Sequence, residues 1–354
     1  MTTQWRACPP ECTDNGRRGS DRFGCDGRRS WRRCRGATAL LALAHDPALE
    51  IVLVGCRSAI EPLLARQPRL ADRVDIRPAS QVVAMDDPPA LALRNKKDSS
   101  MRVAIDLVKS GAVQACVSAG NTGALMATAK FVLKTLPGIE RPAICAAIPS
   151  SSGHTHMLDL GANVSCSAEQ LCQFALMGSE LSRAIDGNAM PRITLLNIGE
   201  EDIKGHETVR QAAALLRAGQ LNYVGYSEGD DVFHGDTDVV VCDGFAGNVA
   251  LKTCEGVARM IRDTLQRECR RGPLSMLAGL AAYPILRRLR KRIDPRRYNG
   301  AVLLGLPGIV IKSHGGADQM AFANAIHIAA KAVRKDVIRH IAEGLVAKRT
   351  GEVA

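Results

Sequence analysis

Four short loops carry the side chains best suited to chemistry. The first, SAGNTGAL (118–125), runs from an apolar stretch through Ser118, Gly120, Asn121, Thr122 and Gly123 into a helical pattern. Small residues there let backbone N–H groups close on an anion, and the helix that follows adds partial positive charge at its start. Taken alone it is equally a tight strand-to-helix turn, since it lacks the Lys-Ser/Thr of a P-loop and the spacing of a dinucleotide fingerprint. The second loop, LDLGANVSC, holds Asp159, Gly161 and Asn163, and the third, NIGEEDIKG, sets Lys204 after Glu200, Glu201 and Asp202. The fourth, CDGFAGNVALKT, carries Asp243, Asn248 and Lys252. One polar loop of this kind is usually a turn closed by local side-chain hydrogen bonds. Four of them, with Asn and Lys at strand ends, predict a single crevice for an oxygen-rich anion. Further on, Lys312-Ser313-His314-Gly315-Gly316 opens a long helix and offers cationic donors to a phosphate.

The elements that must position these loops follow from periodicity. Apolar runs at 50–55, 74–79, 113–120, 142–149, 155–161, 192–199, 221–229 and 237–244 predict strands, and GAVLLGLPGIVIK predicts a short β pair. Most are separated by helical stretches, with Ser99 or Ser100 and Ser167 as N-caps. Continuous apolar strands alternating with helices predict a doubly wound, mostly parallel sheet with helices on both faces, a Rossmann-like three-layer α/β fold. In such sheets ligands gather at the carboxyl ends of strands. Residues 36–345 are expected to form one domain, followed by a tail at 346–354.

Composition sets the bounds. The 354 residues are 46% hydrophobic and 23% charged, with no run long enough to span a bilayer and no apolar segment of signal-peptide type at the N-terminus. Twelve Cys include no C-x-x-C, and the eight beyond residue 35 are scattered singly in apolar segments, where they fit small core residues better than disulfides. The net charge of +11 is uneven. One basic block lies in 274–297, where Leu274, Leu277, Ala281, Ile285, Leu289 and Ile293 recur at helical spacing beside Arg287, Arg288, Arg290, Lys291 and Arg292. Pro284 is expected to split this segment into two short helices. Its charge and stripe suit an anionic membrane face or an acidic protein, although a solvated helix on its own domain fits too.

Several of these segments, in unbroken order from about Gly36 to about residue 345, resemble the PlsX family of acyl-[acyl-carrier-protein]:phosphate acyltransferases. They are SMRVAIDLVKSGAVQACVSAGNTGALMATAK, LDLGANVSC, LLNIGEEDIKG, DVVVCDGFAGNVALKT, RRYNGAVLLGLPGIVIKSHGGAD and AFANAI. The resemblance implies conversion of acyl carrier protein thioester and inorganic phosphate into acyl phosphate for bacterial phospholipid synthesis. It also implies a cytoplasmic homodimer held peripherally at the inner face of the membrane. A phosphotransacylase acting on acyl-coenzyme A, or a fold-retaining inactive protein, is the alternative. Phosphate is the nucleophile in this reaction and a thiolate leaves, so the protein must hold phosphate near the thioester and stabilise an oxyanion. By residue type, phosphate is assigned to Ser118, Gly120, Asn121, Thr122, Gly123 and His314, with Lys204 nearby. Asn163, Asn248 and Lys312 are assigned to carbonyl polarisation and Asp243 to orienting a donor. No cofactor, metal or nucleic acid is expected.

Residues 1–35 depart from that resemblance. They hold nine Arg and no Lys, four Cys and both Trp, where the family has a short strand leading into D-x-M-G-G-D. Shifting the codons of Arg22–Gly36 by one base permits ALDAMGGDHGVAAV. Three of its steps are constrained: Cys25-Asp26 yields only Ala or Val, Asp26-Gly27 only Met or Thr, and Trp31-Arg32 only Gly. A displaced reading frame is therefore expected before about Gly36, with poor packing of the tail as written. An Arg-rich nucleic-acid arm and a Cys metal site are the competing readings.

Overall fold

The computed structural model describes residues 41–351, without the side chains of residues 70, 289–293, 295 and 348–351. The expectations for residues 1–35 lie outside the described residues. The strands are β1 (Ile51–Gly55), β2 (Val74–Pro78), β3 (Ala115–Ser118), β4 (Ala143–Ser150), β5 (Gly153–Leu158), β6 (Ile193–Leu196), β7 (Tyr223–Ser227), β8 (Val239–Val241), β9 (Ala301–Leu304) and β10 (Ile309–Lys312). Each falls where the apolar runs predict one. The helices that bear on the site are α1 (Ser100–Lys109), α2 (Thr122–Leu133), α3 (Ala168–Asp186), α4 (Gly244–Cys269), α5 (Pro273–Ile293), α6 (Gln319–Arg334) and α7 (Val337–Gly351).

Local chemistry starts and stops these helices. Ser99 caps α1 by accepting from Arg102 N–H, and Ser167 opens α3 in a reciprocal capping box with Gln170. Gly187, at φ +72°, ends α3 in a left-handed turn that a side chain would strain. Helix α7 continues through the boundary expected at residue 345 as far as Gly351.

Eight strands form one sheet in the order β3-β10-β9-β4-β5-β8-β6-β7, while β1 and β2 pair separately. Five pairings are parallel and three antiparallel, the latter joining β10 to β9, β9 to β4 and β4 to β5. The chain direction therefore reverses across the middle of the sheet. Strands β3, β10 and β4 run one way, and β9, β5, β8, β6 and β7 run the other. Apolar layers cover both faces. One joins Val117, Leu158 and Val241 to Phe174 and Phe322, and the other joins Cys116, Met157 and Val240 to Ile105 and Leu125.

Strand β1 belongs between the same two layers. Ile51 and Leu53 share the first with Val117, and Val52 and Val54 share the second with Cys116. The bonds Ile51 N–H to Arg73 (3.0 Å) and Ala79 N–H to Gly55 (3.1 Å) commit the odd residues of β1 to β2, so the backbone groups of buried Val52 and Val54 face away from it. In β3 the bond from Ser313 N–H to Ser118 commits the even residues to β10, leaving those of buried Ala115 and Val117 facing outward. No described strand pairs with either edge. Buried backbone groups are nearly always paired, so these two edges define a place for a strand.

Two expectations need correction. Pro284 lies inside one continuous helix, α5, rather than between two. Proline removes one backbone donor and crowds the preceding turn, but Leu280, Tyr283, Pro284 and Ile285 are exposed, so water reaches the freed carbonyl. The Cys expectation holds in part. Cys116, Cys145, Cys172 and Cys242 are buried free thiols, while Cys56, Cys166, Cys254 and Cys269 are half-buried. Burial pushes the Cys116 thiol up to about 12, far from a reactive thiolate.

Candidate functional site

The turn after β3 and the turn after β10 meet side by side. Ser313 N–H donates to Ser118 O at 2.7 Å, and Ser118 Oγ accepts from Gly120 N–H at 3.2 Å. Asn121 caps α2, its Oδ1 accepting from Ala124 N–H at 3.1 Å. Its Nδ2 donates to the carbonyls of Met85 (3.0 Å) and Asp87 (2.9 Å), with Ala84 O at 3.4 Å. Asp87 is held in turn by Lys96 at 2.5 Å and by Ala84 N–H at 2.6 Å, and the lysine contact keeps its carboxyl below the usual range. Gly123 sits so close to Pro89 that a Cβ would come within 2.9 Å of the ring. Asn121, assigned to phosphate by residue type, thus spends its side chain on positioning. What this turn can offer an anion is the start of α2, with Thr122 and Gly123 N–H, and the Ser118 hydroxyl.

On the β10 side, Asn299 holds the loop. Its Nδ2 donates to Ser313 Oγ (2.8 Å) and Ala321 O (2.7 Å), and its Oδ1 accepts from His314 N–H (2.8 Å). Gly316 N–H donates to His314 Nδ1 at 3.0 Å. A neutral imidazole whose Nδ1 accepts must carry its proton on Nε2, so His314 presents an Nε2–H donor. Desolvation lowers the His314 pKa, and the charges of Lys252, Lys312 and Arg259 lower it further against Glu255, which raises it. Three cations therefore stand around this imidazole. Lys252, Glu255 and Arg259 share one face of α4 at helical spacing, with Lys252 paired to Glu255 at 3.1 Å. Helix α4 begins at the opposite edge of the sheet and brings its middle turns to the β10 loop.

The remaining predicted residues lie elsewhere, because β5, β8 and β6 end on the other edge. There Asp159, fully buried, accepts four bonds: Ile144 N–H (2.9 Å) and Ala162 N–H (3.0 Å) at Oδ1, Asn163 N–H (2.6 Å) and Asn163 Nδ2 (2.9 Å) at Oδ2. Burial raises the Asp159 pKa while these donors hold it back. Asn163 gives its second amide hydrogen to Pro142 O at 2.9 Å, so neither is left to polarise a carbonyl. Asp243 caps α4 through Ala246 N–H at 2.8 Å, and Asn248 packs over Gly161. Gly244 N–H donates to Asn163 O at 2.7 Å, and at Gly247 a Cβ would fall 1.9 Å from Asp159 O. This is a positioning knot that fixes the start of α4. Lys204, half-exposed and paired with Glu201 at 2.8 Å, follows β6. Six strand spacings of about 4.8 Å separate β6 from β3, roughly 29 Å along the sheet, and the two end on opposite edges. Lys204 is not beside the Ser118–Gly123 turn of its own chain.

The single crevice expected for all four loops is divided: Ser118, Thr122, Gly123, Lys312, His314 and Lys252 stand toward one edge of the sheet, and Asp159, Asn163, Asp243, Asn248 and Lys204 toward the other. Asn299, Glu255 and Arg259 were missed. The i, i+3, i+7 spacing from Lys252 was the available signal.

The basic segment is exposed where its side chains are described. Leu277 and Ile285 are 66% and 69% accessible, Arg287 and Arg288 lie at the surface, and α5 packs against α4. The side chains of Arg290, Lys291 and Arg292 lie outside the described residues. Among the described residues no helix is long and apolar enough to cross a membrane.

The chain is similar to known proteins along most of its length. A family model described as "Fatty acid synthesis protein" matches residues 36–340. The phosphate acyltransferase of Methylococcus capsulatus is 60% identical over 306 residues, covering 86% of this chain and 90% of that protein. That of Alkalilimnicola ehrlichii is 60% identical over 308 residues, covering 87% and 90%. Among solved structures, a phosphotransacetylase from Streptococcus pyogenes superposes with a TM-score of 0.59 at 18% identity, covering 94% of each chain. The EutD phosphotransacetylase of Staphylococcus aureus gives 0.55 at 15% identity over 93% of this chain and 94% of its own, and at these identities the likeness establishes the fold. From the match over residues 36–340 and the 60% identity to these relatives, the chain belongs to the PlsX family of phosphate acyltransferases.

Proposed function

We propose that this chain transfers a fatty acyl group from the thioester of acyl carrier protein to inorganic phosphate, with phosphate bound between the β3 and β10 turns. A phosphate oxygen attacks the thioester carbonyl, the new C–O bond forms, the C–S bond breaks and the carrier thiolate leaves. Thr122 and Gly123 N–H, Ser118, Lys312, Lys252 and the Nε2–H of His314 would neutralise and orient the phosphate. Held so, it needs no side-chain nucleophile, and the same donors stabilise the oxyanion that forms beside it. The meeting of the Ser118–Gly123 turn with Lys312, His314 and Lys252 carries this reading. Acyl phosphate production from carrier-protein thioester, set against coenzyme A thioester, tests it. Preference for coenzyme A would move the chain to the alternative phosphotransacylase class.

The reading extends to the N-terminus. The strand place between β1 and β3 supports a displaced frame, because residues 1–35 contain no apolar run to fill it and the shifted frame permits the D-x-M-G-G-D loop that follows the family's first strand. Sequencing the gene across codons 15–36 and comparing the chain as written with its frame-restored form tests this. Equal stability and activity of the two forms would overturn it. The exposed apolar stripe and Arg pair of α5 support peripheral attachment to an anionic membrane at the inner face, and a second copy of the chain is the proposed partner in solution.

A further inference from the structure

Away from the anion site, a second cluster of chemistry-bearing side chains converges. His154 and His156 stand two residues apart on β5, so both rings leave the same face, the one that α3 covers. Asp186, the last residue of α3, meets both of them. His154 Nε2 lies 3.2 Å from Asp186 Oδ1, and His156 Nε2 lies 2.7 Å from Asp186 Oδ2. The two rings are edge-on, with centroids 4.9 Å apart. All three ligand atoms lie within 4.8 Å of one another.

That geometry has a chemical meaning. Nitrogen and oxygen ligands bound at about 2.0–2.2 Å around a tetrahedral ion stand roughly 3.3 Å from each other. The two imidazoles now meet different oxygens of Asp186 at hydrogen-bonding distance, and one ligand atom from each residue lies within 4.8 Å of the others, so side-chain rotations would be needed to bring the three to that spacing. The surroundings also fit. His156 is buried at 7% side-chain exposure, which fixes its ring, while Asp186 at 23% and His154 at 33% leave a side open for water to fill the remaining positions. Two imidazoles and a single carboxylate suit zinc and its first-row neighbours, whereas calcium and magnesium require mostly oxygen ligands.

We propose that His154, His156 and Asp186 bind one divalent transition-metal ion of the zinc class. The ion would pin the start of β5 to the end of α3. The start of β5 is three strand spacings from β10, about 14 Å along the sheet, so the site is separate from the phosphate donors. Its role is structural clamping of the edge on which those donors stand.

The test is metal binding by the full chain after chelator treatment, with zinc measured by competition against a chromogenic chelator. His154→Ala is the informative variant, since this side chain is the most exposed of the three and packs least. Asp186→Asn, which keeps its shape, is the second. The parent should hold one zinc more tightly than either variant by at least about 100-fold, a larger loss than outer-shell partners cause. Cobalt at this site should give visible ligand-field bands without the near-ultraviolet charge transfer of thiolate ligation, which separates it from binding by Cys. Equal zinc affinity and stoichiometry in the parent and His154→Ala would overturn the proposal. So would cobalt bound only with thiolate charge transfer.

Discussion

Replacing Asn121 by Ala removes the side chain that couples the phosphate turn to the 84–87 loop. Its Oδ1 caps α2, and losing such a cap costs about 1 kcal/mol. Its two amide hydrogens reach Met85 O and Asp87 O at 3.0 and 2.9 Å, and each such bond contributes about 1 kcal/mol net. Asn121 is 9% exposed as a residue, so water does not readily replace these bonds. The sum is roughly 3 kcal/mol. With an unfolding entropy of about 2.1 cal/mol/K per residue over roughly 310 residues, that becomes a fall in Tm of about 5 °C. The turn should also lose its preset shape, so phosphate KM should rise while the carrier-protein KM holds. Thermal melts and phosphate saturation curves of the frame-restored parent and Asn121→Ala measure both effects. Asn121→Asp keeps the cap but sets a carboxylate against carbonyl oxygens, and should be at least as unstable. A Tm unchanged within a degree in Asn121→Ala would refute the coupling.

Other consequences follow from the same contacts. Gly247→Ala should abolish soluble expression, since its Cβ would sit 1.9 Å from Asp159 O, whereas Gly256→Ala, with open space around it, should be neutral or stabilising by up to about 1 kcal/mol. His314 has a folded pKa below its unfolded value, so the unfolded chain takes up the proton first and stability falls as pH drops below about 6.5. Denaturation curves of the parent should therefore show a steeper loss between pH 6.5 and 5 than those of His314→Gln. A matching slope in the variant would count against the desolvated imidazole. Vesicle binding should need anionic lipid, weaken with salt, and fail when Arg287, Arg288, Arg290, Lys291 and Arg292 become Gln or when Leu277 and Ile285 become Glu. Binding indifferent to lipid charge would make α5 a protein contact instead.

The strands were legible because β-branched apolar runs persist in buried strands, and Ser99 and Ser167 were legible as caps because their position and side-chain oxygens suffice. Sheet direction was not. A strand such as VVVCDG has the same character whichever way it runs, and the local signs of reversal, the two-residue link between β4 and β5 and the short β9–β10 pair, do not show where those hairpins sit within the sheet. That reversal is what divides the four polar loops between two edges. It sends Asp159, Asn163, Asp243 and Asn248 to a positioning knot and leaves Lys204 distant. The role of Lys252 depended on the length of α4, which crosses the sheet, and this is a tertiary fact. Pro284 misled because a helix-breaking residue is tolerated where its freed carbonyl faces water.

Phosphate-dependent stabilisation is the most direct test of the proposed anion site, because it does not require turnover. A ligand at 100 times its Kd that binds only the folded chain adds about 2.7 kcal/mol. Melting the parent, Lys252→Ala, Lys312→Ala and Lys204→Ala across a phosphate series compares the two edges of the sheet. The account predicts that the phosphate-induced rise in Tm survives in Lys204→Ala and is lost in Lys252→Ala and Lys312→Ala. Loss in Lys204→Ala with retention in the other two would contradict it.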